Sequence, residues 1–268
     1  MSVLGRFCAA ALLSLAALPA LAATDVKVVT SPGGITAWLV EEPSIPILAL
    51  EIRFEGGSSR DPADKVGATR FMSSMLDEGA GDLPAAAFEA AADDIALRFG
   101  FGAGGDAFTV SARMLTENRG ESLALLKLAM TQPRFDAEAM ERVRRGLLSS
   151  IRSRETDDGA LASRAWRTAL FGDDPYARES TEEGVLALTA EDLEAARLRA
   201  MNRSRLSIAM VGDITAEELG PLLDDLLLDL PAEPWAPLGP VRLSQDRGLE
   251  VIDLDVPQST ARIVQEGI

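Results

Sequence analysis

The chain has no histidine, and its single cysteine, Cys8, lies in an apolar N-terminal stretch. Imidazole nitrogen and thiolate sulfur dominate zinc and copper sites, so the commonest transition-metal chemistry has almost nothing to work with. A Ser-His or Cys-His nucleophilic device is excluded for the same reason. A Ser-Lys pair remains formally open, but there are only three lysines, Lys27, Lys65 and Lys127, and none has a serine at motif-like spacing. After the N-terminal stretch no run approaches the roughly 18 uninterrupted apolar residues that a membrane-spanning helix needs.

What is present begins with an export signal. Arg6 supplies a positive n-region, "FCAAALLSLAALPALA" an apolar core, and Ala20-Leu21-Ala22 an A-x-A processing site. Cleavage is expected after Ala22 or Ala23, which makes 1–22 a signal peptide. Arg6 and Phe7 before Cys8 do not form a lipoprotein box. Removal of the signal takes Cys8 with it, and the processed chain then has neither disulfide nor thiolate. The expected location is periplasmic or secreted, with no stable membrane insertion.

Acidic residues number 42 and basic residues 26, a formal net charge of −16. Such a balance opposes binding to nucleic acid or to an anionic membrane surface. It fits a solvated surface, or one that attracts basic peptides or a basic partner.

Three strand-like runs follow the signal: "DVKVVTS" from Asp25, "GITAWLVEE" from Gly34 and "IPILALEIRFEGG" from Ile45. "SPGG" should join the first two as a hairpin. One amphipathic helix is expected over 67–81 and a second, "LPAAAFEAAADDIALRF", from Leu83. "GFGAGGD" reads as a loop and "AFTVSARML" as a half-buried strand. A helical tract runs on through "ENRGESLALLKLAM", a break at Gln132-Pro133, and "FDAEAMERVRRGLLSSIRSRE" with Asp136 as N-cap. Two more helices, "GALASRAWRTALFG" and "TAEDLEAARLRAMN", precede a buried strand, "RLSIAMVGD". Thr215 and Glu218 then open a helix as a capping box. Residues 231–240 hold four prolines, a linker composition. The runs "GLEVIDLDV" and "STARIVQEG" beyond it are strand-like.

Two further motifs carry little chemistry. Gly100, Gly102 and Gly105 form a G-x-G-x-x-G, but a dinucleotide fingerprint needs a strand before it and a helix after it. Here a strand-like run follows, so the glycines suit a hairpin or a close backbone approach. The acidic pairs Asp93-Asp94, Asp157-Asp158, Asp173-Asp174 and Asp224-Asp225 lack calcium-loop spacing.

The segment "GATRFMSSMLDEGAG" is more informative. Arg70, Ser73 and Ser74 stand at i, i+3 and i+4, which places them on one helical face. Zinc peptidases use that spacing for two ligands and a general base. In its frame of Gly67, Met75, Gly79 and Ala80, the segment resembles the inverted zinc-binding helix, H-x-x-E-H, of the insulinase/pitrilysin (inverzincin) peptidases. The resemblance extends through "GDAFTVSARMLTENRGESLALLKLAMTQPRFDAEAMERVRRGLLSSIRSRE", through "FGDDPYARESTEEGVLALTAEDLEA" with Asp174 where the family has the histidine of His-Pro-Tyr, and through "NRSRLSIAMVGDITAEELGPLLDDLL". It implies that Arg70 and Ser74 replace the two histidines and Ser73 the catalytic glutamate. Ser150, just before Ile151, matches best the third ligand, also a glutamate.

The implied zinc chemistry is absent from every one of those positions. Serine hydroxyls are poor zinc ligands, and arginine is always protonated. At about 4 Å and an effective dielectric near 20, a guanidinium would repel Zn²⁺ by roughly 8 kcal/mol. Ser73 has no base to make it one near neutral pH. The resemblance therefore implies a zinc-less, catalytically inactive subunit or paralogue, with no cofactor of its own and zinc only in a partner subunit. Its fold would be α+β, a mixed or antiparallel sheet packed with helices, forming half of a two-domain metallopeptidase-like clamshell. The division implied is a signal at 1–22, a peptidase-like domain at 24–230, a linker at 231–247, and at 248–268 the start of a second domain that breaks off at Ile268. Expected partners are a zinc-containing homologous peptidase subunit, as a heterodimer, and peptides. The alternatives are a scaffold homologue without peptide handling and an active peptidase with an unusual site.

Overall fold

The computed structural model describes residues 25–234, 238–241, 243–244, 248–255 and 257–265. The export signal, with Ala22 and Ala23, lies outside the described residues, as do 235–237, 242 and 245–247 of the linker.

β1 (Lys27–Thr30) and β2 (Thr36–Glu41) pair antiparallel across a tight turn at 31–34, as the "SPGG" signal implies. β3 (Ile47–Glu55) shows strict two-residue alternation. Leu48, Leu50, Ile52 and Phe54 are fully buried, while Glu51 and Arg53 point the other way and are exposed. A short helix, α1 (Ala68–Ser73), follows, then a two-stranded ribbon of β4 (Gly79–Ala80) and β5 (Leu83–Pro84), then α2 (Ala85–Asp94). β6 (Arg98–Ala103) and β7 (Ala107–Leu115) form a second hairpin. Five helices come next: α3 (Arg119–Thr131), α4 (Ala137–Arg154), α5 (Asp158–Phe171), α6 (Glu182–Ala187) and α7 (Ala190–Ala200). β8 (Leu206–Gly212) and α8 (Ala216–Leu227) complete the regular elements.

The main sheet has the order β1-β2-β8-β3-β7-β6. Every neighbouring pair is antiparallel except β2 and β8. That parallel pair needs the long helical crossover that separates them in sequence. One face of the sheet joins residues of α1, α3, α7 and α8 in a single apolar core. On the other face Trp38 and Val211 are exposed along with Arg53 and Arg113. The expected class, a mixed and mostly antiparallel sheet packed with helices, is the one observed.

Several local expectations change. Residues 67–81 do not form one helix: α1 ends at Ser73, a run of turns follows, and Gly79 pairs in β4. The segment "GFGAGGD" is not all loop. α2 stops at Asp94, Ala96 reverses the chain with φ +54°, and Gly100 and Gly102 lie inside the edge strand β6. Its side chains on the core side, Phe99 and Phe101, continue an aromatic row from Phe88 to Phe108 with ring centroids 5.6–6.4 Å apart. Within the glycine pattern the close approach is at Gly102, where a Cβ would sit 2.5 Å from the Thr109 hydroxyl oxygen of β7, while Gly100 and Gly105 have ordinary room. Asp136 is the N-cap residue of α4, but its carboxylate is held by Arg134 at 2.7 Å and makes no cap hydrogen bond. The capping box of Thr215 and Glu218 forms as expected, and Thr189 with Asp192 makes a second one. The strand-like runs after the linker are not strands among the described residues; Leu249, Val251 and Ile263 are largely exposed. Alternation alone does not make a strand where no neighbouring strand offers hydrogen bonds.

Candidate functional site

The candidate site is built on α1, and a buried carboxylate sets the start of that helix. Asp61 accepts from the backbone N–H of Gly67 at 3.0 Å, the N–H of Thr69 at 3.2 Å and the Thr69 hydroxyl at 2.6 Å. Arg199 on α7 donates to the same carboxylate at 2.7 Å. The negative charge thus lies at the positive end of the helix, where free N–H groups need acceptors. Phe71, Met72, Met75 and Leu76 are completely buried and fix the rotation of the segment.

That rotation splits the polar triplet. Ser73 is only 8% exposed, and its Oγ donates to the Phe101 carbonyl of β6 at 3.1 Å. Arg70 and Ser74 face outward, and the Ser74 hydroxyl returns to the Arg70 carbonyl at 3.2 Å. The expectation that all three share one face is therefore corrected. At about 100° per residue, Ser73 falls about 60° to one side of Arg70 and Ser74 about 40° to the other. The edge strand takes up the Ser73 side.

Ser150 lies on the exposed side of α4, next to buried Ile151. It and Arg70 line one small hollow, with Gly67, Arg154 and Ser180. Ser73 and Ser74 are not among the lining residues. α4 is held beside α1 by Arg144, which is buried. Its guanidinium donates to the Val185 and Leu188 carbonyls at the end of α6 and lies 5.2 Å from the centre of the Phe71 ring. Asp174, at the position matched to a histidine, caps its own turn by accepting from the Tyr176 N–H at 3.1 Å. The Tyr176 hydroxyl donates to Asp106 in the β6–β7 turn, and that bond, with some desolvation, holds the phenol above its ordinary pKa.

Sequence reasoning missed Asp61, Arg144 and Arg154. Asp61 and Arg144 act on partners distant in sequence, so no local pattern marks them. Arg154 had a signal, a basic residue in the last turn of a helix, but helix-end charge alone explains such a residue.

The residues present do not fit zinc. Among the described residues no group of three histidine, cysteine, aspartate or glutamate side chains is placed to hold a metal ion. The outward positions carry a guanidinium and two hydroxyls, and the inward one is spent on the edge strand. Among the described residues no helix is long and apolar enough to cross a membrane.

No family model matches the chain. A non-peptidase homologue, YmxG, of Helicobacter pylori is 23% identical over 193 residues, covering 71% of this chain and 45% of its own. A probable mitochondrial-processing peptidase subunit beta of Arabidopsis thaliana is 22% identical over 253 residues, covering 92% of this chain and 48% of its own. The chain thus spans about half the length of these curated relatives. Among solved structures, a peptidase M16 inactive domain of Pseudomonas fluorescens superposes with TM-score 0.73 and 25% identity, over 81% of this chain and 53% of that one. The periplasmic protease PqqL of Escherichia coli shares the fold, with TM-score 0.68 and 17% identity over 83% of this chain and 26% of its own.

The fold is that of an M16 peptidase domain. The chain is similar in sequence to a non-peptidase homologue and to an inactive M16 domain, and it shares that fold with an M16-type protease as well.

Proposed function

We propose that this chain is a catalytically inactive, peptidase-like subunit that partners a zinc-containing homologue in degrading peptides or proteins in the periplasm. In this reading it has no cofactor of its own, and zinc resides in the partner. What carries the proposal is the pairing of an M16-type domain fold with Arg70, Ser73, Ser74 and Ser150 at the positions that the sequence resemblance matches to the zinc ligands and the general base. A retained fold without its chemistry can still act through shape, by closing a chamber against a second half. The likeness to a non-peptidase homologue and to an inactive M16 domain supports the reading, as does the export signal read at 1–22.

The test is co-expression of the full gene product with an H-x-x-E-H homologue encoded beside it. The two should co-purify, and peptide cleavage should need both. A homologue that is fully active alone and never co-purifies with this chain overturns the partnership and favours a scaffold role.

The domain boundary belongs to the same proposal: 24–230 as one folded unit, 231–247 as linker, 248–268 as the start of a second domain. Limited proteolysis should cut first within 231–247, a segment whose four prolines in 231–240 disfavour regular secondary structure. First cuts inside α3 to α8 would count against the boundary.

A further inference from the structure

We propose that the hollow between α1 and α4 is an oxyanion site, which seats a single carboxylate or phosphate group between Arg70 and Arg154. The inference starts from charge. Both arginines line this hollow, with Ser150 and Ser180 beside them and no acidic residue in its wall. Arginine cannot relieve crowding by losing its proton. Two like charges facing one recess therefore hold it at a positive potential that only an anion can neutralise.

The chain could have supplied that anion and does not. With 42 acidic residues it is rich in carboxylates, and neighbouring arginines have taken them. Arg152, two residues before Arg154, pairs with Glu182 through both guanidinium nitrogens at 2.9 and 2.6 Å. Arg164 and Arg167 share Glu179, the residue before Ser180. Among the described residues Arg70 and Arg154 have no side-chain partner at all. Both also sit in the last turn of a helix. That placement accounts for a basic residue at either end, but not for two that line one recess.

The chemistry of the walls fits an oxyanion. Guanidinium groups donate in a planar fork that matches carboxylate and phosphate oxygens, and serine hydroxyls can donate to a third position. The hollow itself has room for about one water-sized atom, a volume of about 10 Å³. One oxygen can therefore enter while the rest of the group stays at the mouth, within reach of the outward-facing Arg70. Where the resemblance places ligands for a cation, the chain offers a site of the opposite sign. This inference does not depend on any partner subunit, because the hollow belongs to this chain alone.

Isothermal titration calorimetry of the full chain at low ionic strength tests it with three probes: inorganic phosphate, a short acetylated alanine peptide with a free C-terminal carboxylate, and the same peptide as its C-terminal amide. Phosphate or the free acid should bind at one site per chain, and the tighter of the two identifies the source of the group. The amide should bind much more weakly. Arg70→Gln and Arg154→Gln should each weaken binding roughly tenfold or more, the loss of a charge-assisted hydrogen bond, with the circular dichroism unchanged. Arg53→Gln, on the open face of the sheet, should leave it intact. The proposal is overturned if neither phosphate nor the free acid binds, if the free acid binds and the amide binds as well, if Arg70→Gln and Arg154→Gln bind as the parent does, or if Arg53→Gln weakens binding as much as those two.

Discussion

Asp61→Ala should destabilise the protein by about 3–5 kcal/mol, the range for removing one partner from a buried charge pair. Its side chain is 1% exposed and organises two elements that are far apart in sequence. Three donors at the start of α1 and the Arg199 guanidinium of α7 all converge on it. Alanine would leave the Gly67 and Thr69 N–H groups unpaired where water cannot readily replace the acceptor, and would leave Arg199 without its counter-charge. Asp61→Asn keeps the shape but removes the charge, and should fall between alanine and the parent. Urea denaturation of the three proteins measures the order. Asp61→Ala within 1 kcal/mol of the parent would contradict the role given to this carboxylate.

Gly212→Ala should have a comparable effect by a different route. Gly212 ends β8 with φ +140°, a backbone conformation that residues with a side chain rarely adopt. A Cβ there would lie 2.0 Å from the Ile47 carbonyl oxygen, in the adjacent strand β3. Backbone strain of about 1–3 kcal/mol adds to a steric overlap that only a shift of β3 against β8 can relieve. A total near 3 kcal/mol or more should lower the melting temperature by roughly 6–12 °C for a domain of this size. Gly239→Ala, where no atom would meet the added Cβ, is the control and should melt with the parent.

How far the fold could be read from sequence depended on how local each cause was. β3 and β7 were legible because their apolar residues alternate without interruption. The start of α8 was legible because Thr215 and Glu218 complete a cap within three residues of each other. β6 was hidden: Gly100 and Gly102 take up the positions that would have shown the polar half of its alternation, so two phenylalanines and an alanine were left to signal a strand. The end of α1 was hidden because the residues after Ser73 suit a helix equally well, and it is the return of the chain to pair Gly79 with Pro84 that stops it.

The candidate site was legible as a pattern and not as a geometry. The spacing of Arg70, Ser73 and Ser74 was plain, and so was the absence of zinc chemistry from it. That β6 would draw Ser73 inward to the Phe101 carbonyl depends on a strand the sequence did not announce. That Arg154 would share a hollow with Arg70 depends on the angle at which α4 crosses α1, which Arg144 and the Phe71 ring help to fix.

The central proposal is that the frame of a zinc site is kept while its ligands are replaced. The direct measurement is the zinc content of two proteins, loaded with zinc and desalted: the parent chain, and the variant carrying Arg70→His, Ser74→His and Ser150→Glu. These changes restore two imidazoles and a carboxylate, a donor set that suits a tetrahedral site with one open position. The parent should retain almost no zinc and the variant about one per chain, since Arg70 and Ser74 both face outward on α1 and Ser150 shares a hollow with Arg70. A parent that retains about one zinc per chain, or a folded variant that retains none, would contradict the account.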